Sequence, residues 1–144
     1  MVDASVAVKW VVEEEHSANA ALLLTANTLR APAHWRAEAF NILWAKVSRG
    51  DLTTADAEER IAVLNRAPIV ETAVSLLALR AFAISATLAT PIYASLYVAL
   101  AESQSVPLIT ADVQFFQRVH ATSLAKQVML IEGPAFHKEF GNGG

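Results

Sequence analysis

Cysteine is absent from this chain, so no disulfide can brace it and no thiolate can hold a metal. Charge is scarce: Asp, Glu, Lys and Arg make up 17% of the residues and apolar types 54%, a leaner charged share than the usual quarter or so. Part of so apolar a surface is expected to meet another chain. The formal net charge of -3 and pI near 5.8 provide no general attraction to phosphate. Any nucleic-acid role therefore needs local basic clusters or bound cations. The chain has no G-x-G-x-x-G, no P-loop and no G-x-S-x-G, which removes the handles for dinucleotide binding, NTP hydrolysis and serine-hydrolase chemistry. No basic n-region precedes Asp3, so no signal peptide is expected and the cytosol is the default compartment. One uncharged run, Ala81 to Ala101, is long enough to span a bilayer. Pro91 interrupts it and Ser85, Thr87, Thr90 and Ser95 dilute it, so a buried pair of helices is expected rather than a span.

What is present reads as one α/β domain over residues 1–140 with a loose tail at 141–144. Met1 to Ala4 reads as the end of a buried strand, with helices at Ser5 to Val12 and Ser17 to Leu29. Arg30 to Ala33 is short and extended. A helix follows from His34 to Arg49, closed by Gly50 as a natural C-cap. Thr53 offers an N-cap for the helix through Ala67, with Asp56, Glu58 and Glu59 near its positive end. Pro68 to Thr72, Pro107 to Thr110 and Gln127 to Ile131 read as strands, the first two entered through proline. Between them lie helices at Ser75 to Leu88, Ile92 to Ser103 and Asp112 to His120. Short apolar strands alternating with helices imply a mainly parallel sheet.

Two of these strands end on acids. Val2 leads into Asp3 and Leu108-Ile109 into Thr110-Ala111-Asp112, and parallel strands would deliver both carboxylates to the sheet edge where such folds bind ligands. Each acid reads equally as the N-cap of the helix that follows. Glu38 shares its helical side with His34, Trp35, Asn41 and Ile42; the alternative is a rim glutamate reaching water or paired with Lys46 or Arg49. Acids gathered at such an edge repel one another and need a cation, and oxygen donors suit Mg²⁺ or Mn²⁺ better than zinc. His16, His34, His120 and His137 lack metal-ligand spacing and read as surface or cap residues. Trp10, Trp35 and Trp44 read as core, or as part of a binding face.

The stretches V-D-A-S-V-A-V-K-W, A-E-A-F-N-I-L-W, I-Y-A-S-L-Y-V-A-L-A-E and L-I-T-A-D, in this order, resemble the PIN-domain ribonucleases, and among them the VapC toxins of bacterial toxin–antitoxin pairs. The resemblance implies a three-layer α/β/α domain in which clustered acids bind Mg²⁺ or Mn²⁺ and activate water against an RNA phosphodiester. It also implies a homodimer silenced by a cognate antitoxin. Asp3, Glu38 and Asp112 match the first, second and last acids, with Ser5 and Thr110 as the small hydroxyl residues beside them. The third acid follows the tyrosine of the third motif; here Tyr93 is followed by Ala94. With the rest of that motif intact, Ala94 reads as a single substitution that disarms the nuclease. The alternative is a naturally degenerate member kept as a binding module. Lys9, Arg36, Lys46 and Arg49 are candidates to position the RNA backbone, or are solvated surface charge. A small-molecule enzyme using the same sheet edge is a third reading.

Overall fold

The computed structural model describes residues 1–25 and 28–141; Ala26 and Asn27, and the tail beyond Gly141, lie outside them. Four short parallel strands, β1 (Leu29–Pro32), β2 (Ile69–Thr72), β3 (Leu108–Thr110) and β4 (Val128–Leu130), form the centre. β1 pairs with β2, Leu29 opposite Ile69, and β3 with β4, Leu108 opposite Val128. The N-terminal segment joins the two pairs. Val2 bridges Ile109 in parallel, and its N–H donates to Arg30 O at 3.2 Å while Ile109 N donates to Met1 O at 2.8 Å. The order across the molecule is therefore β2, β1, the N-terminal segment, β3, β4.

The expected first strand shrinks to this single bridge because α1 (Ala4–Val8) begins at once, with the Asp3 carboxylate accepting from Val6 N–H as its cap. α1 also stops four residues earlier than expected. Trp10 Nε1 donates to Ala20 O at 2.8 Å and Lys9 Nζ to Glu15 O at 2.8 Å, and these contacts turn the chain toward α2 (Ser17–Leu24). The helix expected to reach Leu29 gives way to β1, since Leu29 is buried in the sheet opposite Ile69. Alanine-rich sequence favours helix locally, but burial against a neighbouring strand overrides propensity.

α3 (Trp35–Ser48) buries Trp35, Ala39 and Leu43 on one side. It ends as expected at Gly50, whose φ of +82° lets Gly50 N and Asp51 N bond back to Val47 O and Lys46 O, a Schellman closure. α4 (Thr54–Leu64) starts on a full capping box between Thr53 and Asp56. α5 (Val74–Leu88) and α6 (Ile92–Gln104) meet at a bend of 116°, and among the described residues no single helix is long and apolar enough to cross a membrane. α6 is the buried one, its residues Ser95 to Ala101 all enclosed, whereas α5 buries Leu77, Ala81, Ile84 and Leu88. Its opposite side leaves Leu76, Leu79 and Phe82 exposed.

After α7 (Val113–His120), β4 leads into a helix the pattern reading lacked, α8 (Pro134–Phe140), entered through proline in its first turn and anchored by fully buried Phe136. Gly133-Pro134 was the available signal, because proline fits the first helical position. Helices against a parallel sheet make this a mixed α/β fold of α/β/α type.

Candidate metal centre

Asp3 stands where the N-terminal segment passes into α1, one strand away from Thr110 at the end of β3. Its Oδ1 accepts from Ser5 Oγ at 2.6 Å and Val6 N at 3.1 Å, and its Oδ2 accepts from Thr110 Oγ1. Both hydroxyls also look onward. Ser5 Oγ accepts from Ala111 N at 3.3 Å, and Thr110 Oγ1 from Asp112 N at 3.1 Å. Ser5 and Thr110 thus tie the first acid to the backbone that carries the last. Burial pushes the Asp3 carboxyl above its usual pKa, against the lowering effect of these hydrogen bonds, and the nearby Glu38 charge adds to the rise.

Asp112 caps α7, its Oδ1 accepting from Phe115 N at 3.0 Å. The cap reading and the site reading hold together for both aspartates. Capping uses Oδ1 and spends no part of the side chain's charge.

Glu38 projects from α3 toward α6. Tyr97 OH donates to its Oε1 at 2.7 Å, and His34, one turn earlier on α3, brings Nε2 to 3.0 Å from the same oxygen. Neither basic residue expected as a rim partner pairs with Glu38: Lys46 pairs with Glu14 at 2.9 Å and Arg49 with Asp51 at 3.2 Å, while the Glu38 side chain keeps 35% exposure to water. Burial raises the Tyr97 pKa, with Glu38 and Asp3 pushing the same way, so the phenol keeps its proton and stays a donor.

Asp3, Glu38, Ala94 and Asp112 line one cavity of about 490 Å³ together with Ser5, His34, Asn41, Tyr93, Tyr97 and Phe115. Among the described residues no Lys or Arg lines it. Three carboxylates facing one space without a protein cation form a donor set that suits a hard divalent ion. Their oxygens do not all approach within 4.8 Å of one another; among the described residues the His and carboxylate group that does is Glu15, His16 and Glu132, none of which lines the cavity. The reason is visible in the bonding, since Asp3 is held by two hydroxyls and Asp112 by its cap.

The four basic residues expected near the first two acids are otherwise engaged. Lys9 and Lys46 both hold Glu14, Arg36 pairs with Glu71 while lying over Trp35 at 4.8 Å, and Arg49 pairs with Asp51. Trp35 is core, its Nε1 donating to Glu71 at 2.9 Å, and Trp44 is 65% exposed.

His34 stands at the N-cap position of α3, one of the places expected for the histidines, but its side chain makes no cap hydrogen bond and turns to the cavity instead. Its side chain is only 14% exposed, its ring sits 4.9 Å from that of Tyr97, and Nε2 also lies 3.1 Å from Tyr93 O. Two acceptors at Nε2 place the proton there and leave Nδ1 buried without a partner among the described residues. The four-residue spacing of His34 and Glu38 was a usable signal. The role of Tyr97 was not readable, because its hydrogen bond joins α6 to α3 across 59 residues of sequence. His16 pairs with Glu132 at 2.7 Å across 116 residues, a partnership no local spacing could announce.

Compared with known proteins, residues 1–121 match the family model described as PIN domain. The matched span holds all four cavity positions and ends before β4 and α8. No curated protein matches the sequence.

Proposed function

We propose, from the premise that this chain belongs to the PIN domain family, that it is a VapC-type toxin: a divalent-metal-dependent endoribonuclease, cytoplasmic and silenced by a cognate antitoxin. Ala94 leaves it impaired. The observation that carries this reading is the shared cavity, which Asp3, Glu38 and Asp112 line together with Ala94 and with no Lys or Arg among the lining residues.

Asp3, Glu38 and Asp112 would hold Mg²⁺ or Mn²⁺. The chemistry such an ion supplies when bound is charge against the phosphate oxygens and a more acidic water. The protein's own part is preorganisation. Ser5, Thr110 and the Val6 N–H fix the Asp3 oxygens, and Tyr97 and His34 fix Glu38 Oε1, so neither carboxylate has to be ordered when substrate arrives. A carboxyl raised by burial, as Asp3 is, gains most from a cation beside it. An acid at 94 would add a ligand from the first turn of α6. With alanine there, the cavity offers one ligand fewer to the cation that would neutralise the RNA phosphate.

The uncharged stripe of Leu76, Leu79 and Phe82, which are 79%, 91% and 69% exposed, supports the homodimer and antitoxin part of the proposal, since apolar side chains this open are expected to meet a partner. The same stripe and Ala94 favour the second reading, a PIN-like module that only binds.

Cleavage of several RNAs with Mg²⁺ or Mn²⁺ separates the two. The parent chain should cut poorly, Ala94→Asp should restore cutting, and adding Asp3→Ala to that variant should abolish it. An Ala94→Asp chain inert on every RNA would leave the binding module standing.

A further inference from the structure

An aromatic ring that lines a cavity yet faces water is unusual among the side chains of this site. Tyr93 lines the carboxylate cavity and is 61% exposed, while Tyr97, one turn on, is buried. Tyr93 sits in the first turn of α6 beside Ala94, its carbonyl held by His34 Nε2 at 3.1 Å and its ring centroid 6.3 Å from that of His34. The backbone under the ring is thus anchored while one face of the ring remains open.

The neighbouring charge is Arg118. It lies on α7 three residues after Phe115, a cavity-lining residue, and so on the same side of that helix. Its guanidinium donates to Ala89 O at 2.8 Å, in the turn between α5 and α6 four residues before Tyr93. Arg118 is exposed and, among the described residues, forms no ion pair, whereas Lys9, Arg36, Lys46, Arg49 and Arg80 are each paired with a carboxylate.

Resting on the nuclease reading above, we infer that Tyr93 and Arg118 form the strip over which substrate enters: an unpaired RNA base stacks on the Tyr93 ring and a phosphate meets the Arg118 guanidinium. A ring face accepts any base, and only a base free of a duplex can reach it. The strip therefore selects single-stranded segments over duplex with little regard for base identity, and it supplies the positive charge the cavity lacks.

The parent chain suits equilibrium measurement, because on that reading it cuts slowly. Fluorescence anisotropy with a short labelled single-stranded RNA of mixed sequence in Mg²⁺, and with the same RNA annealed to its complement, reads the affinity. Tyr93→Ala should weaken single-strand binding roughly 5- to 150-fold, the range for loss of one base–aromatic stack. Tyr93→Phe should stay within about twofold, since it keeps the ring face. Arg118→Gln should lower the slope of log affinity against log salt by about 0.7, the loss of one phosphate contact on a single strand. Trp44→Ala, which removes an exposed aromatic that is not among the cavity-lining residues, should change nothing. Unchanged affinity in Tyr93→Ala, or an equal loss in Trp44→Ala, overturns the strip. If Ala94→Asp restores cleavage while Tyr93→Ala in that background leaves KM untouched, this inference falls and the nuclease reading survives. If the parent binds no RNA and Ala94→Asp cuts none, both fall.

Discussion

Placing an acid at position 94 should make the stability of this fold depend on divalent cations. Ala94→Asp adds a fourth carboxylate to a cavity that already holds Asp3, Glu38 and Asp112 and no Lys or Arg. At an effective dielectric near 20, a like charge at an assumed separation of about 7 Å costs roughly 2 kcal/mol, so three come to about 7 kcal/mol, which screening through the open mouth cuts to a net of about 1–3 kcal/mol. With an unfolding entropy of about 2.1 cal/mol/K per residue, a chain of this length loses roughly 3 °C of Tm per kcal/mol. In chelator the variant should therefore melt about 3–10 °C below the parent at neutral pH. Mg²⁺ at about a hundred times its Kd adds about 2.7 kcal/mol to the native state, and should recover about 9 °C.

The pH dependence has a definite sign. Asp3 already shows that burial and a neighbouring carboxylate push an acid in this cavity upward, and an acid at 94 enters the same surroundings. A raised folded-state pKa means the group is tolerated while protonated, below its unfolded value. Its penalty grows as pH climbs from the unfolded value toward the folded one and is complete above the folded value. The gap between variant and parent in chelator should be small near about pH 4 and full near about pH 7. Circular dichroism melts across that range, with chelator and with Mg²⁺, measure it. Identical melts for parent and variant in every condition would mean that residue 94 does not face the acids, and the site would have to be abandoned.

Three further outcomes follow from the same geometry. Tyr97→Phe removes the donor to Glu38 Oε1 and should cost about 1 kcal/mol in urea unfolding, low in the range for a bond to a charged group because Glu38 is partly exposed. Calorimetry should also show weaker Mn²⁺ binding, and unchanged binding would remove Tyr97 from the support of the site. Leu79→Glu replaces a side chain that is 91% exposed, so the melt should hold while light scattering shows loss of self-association or of antitoxin capture; a parent that is monomeric and binds no partner at any concentration contradicts this. On α3, Leu43→Ala should cost about 2–5 kcal/mol for a fully buried leucine, and its neighbour Trp44→Ala less than about 0.5 kcal/mol. Equal costs would mean that α3 presents a different face to the core.

Much of the architecture could be read without coordinates. The Gly50 closure of α3 and the Thr53 start of α4 depend on two or three neighbouring residues, and the structure has both. β2, β3 and β4 fall inside the apolar runs that predicted them. The misreadings share a cause. α1 ends early because Trp10 and Lys9 find partners beyond the helix, and β1 replaces helix at Leu29 because a strand 40 residues away pairs with it.

At the site, Asp3 and Asp112 were legible as acids ending apolar runs, and the structure gives each a cap and a place in the cavity. Glu38 was ambiguous in the sequence, and the structure places it in the cavity with Lys46 and Arg49 paired elsewhere. Tyr97, His34 and the exposed ring of Tyr93 gained meaning only once the start of α3 and α6 were joined by side-chain hydrogen bonds.

By itself, then, the order of residues determined the caps, the alternation of strand and helix, and the acids at strand ends, because each is set within one turn or one pleat of the backbone. Tertiary structure decided that Asp3 and Thr110, 107 positions apart, share a hydrogen bond, and that the basic residues near the first acids are neutralised rather than free. Such pairings depend on how elements pack and on which charges have lost their water, and neither is a property of any short stretch of chain.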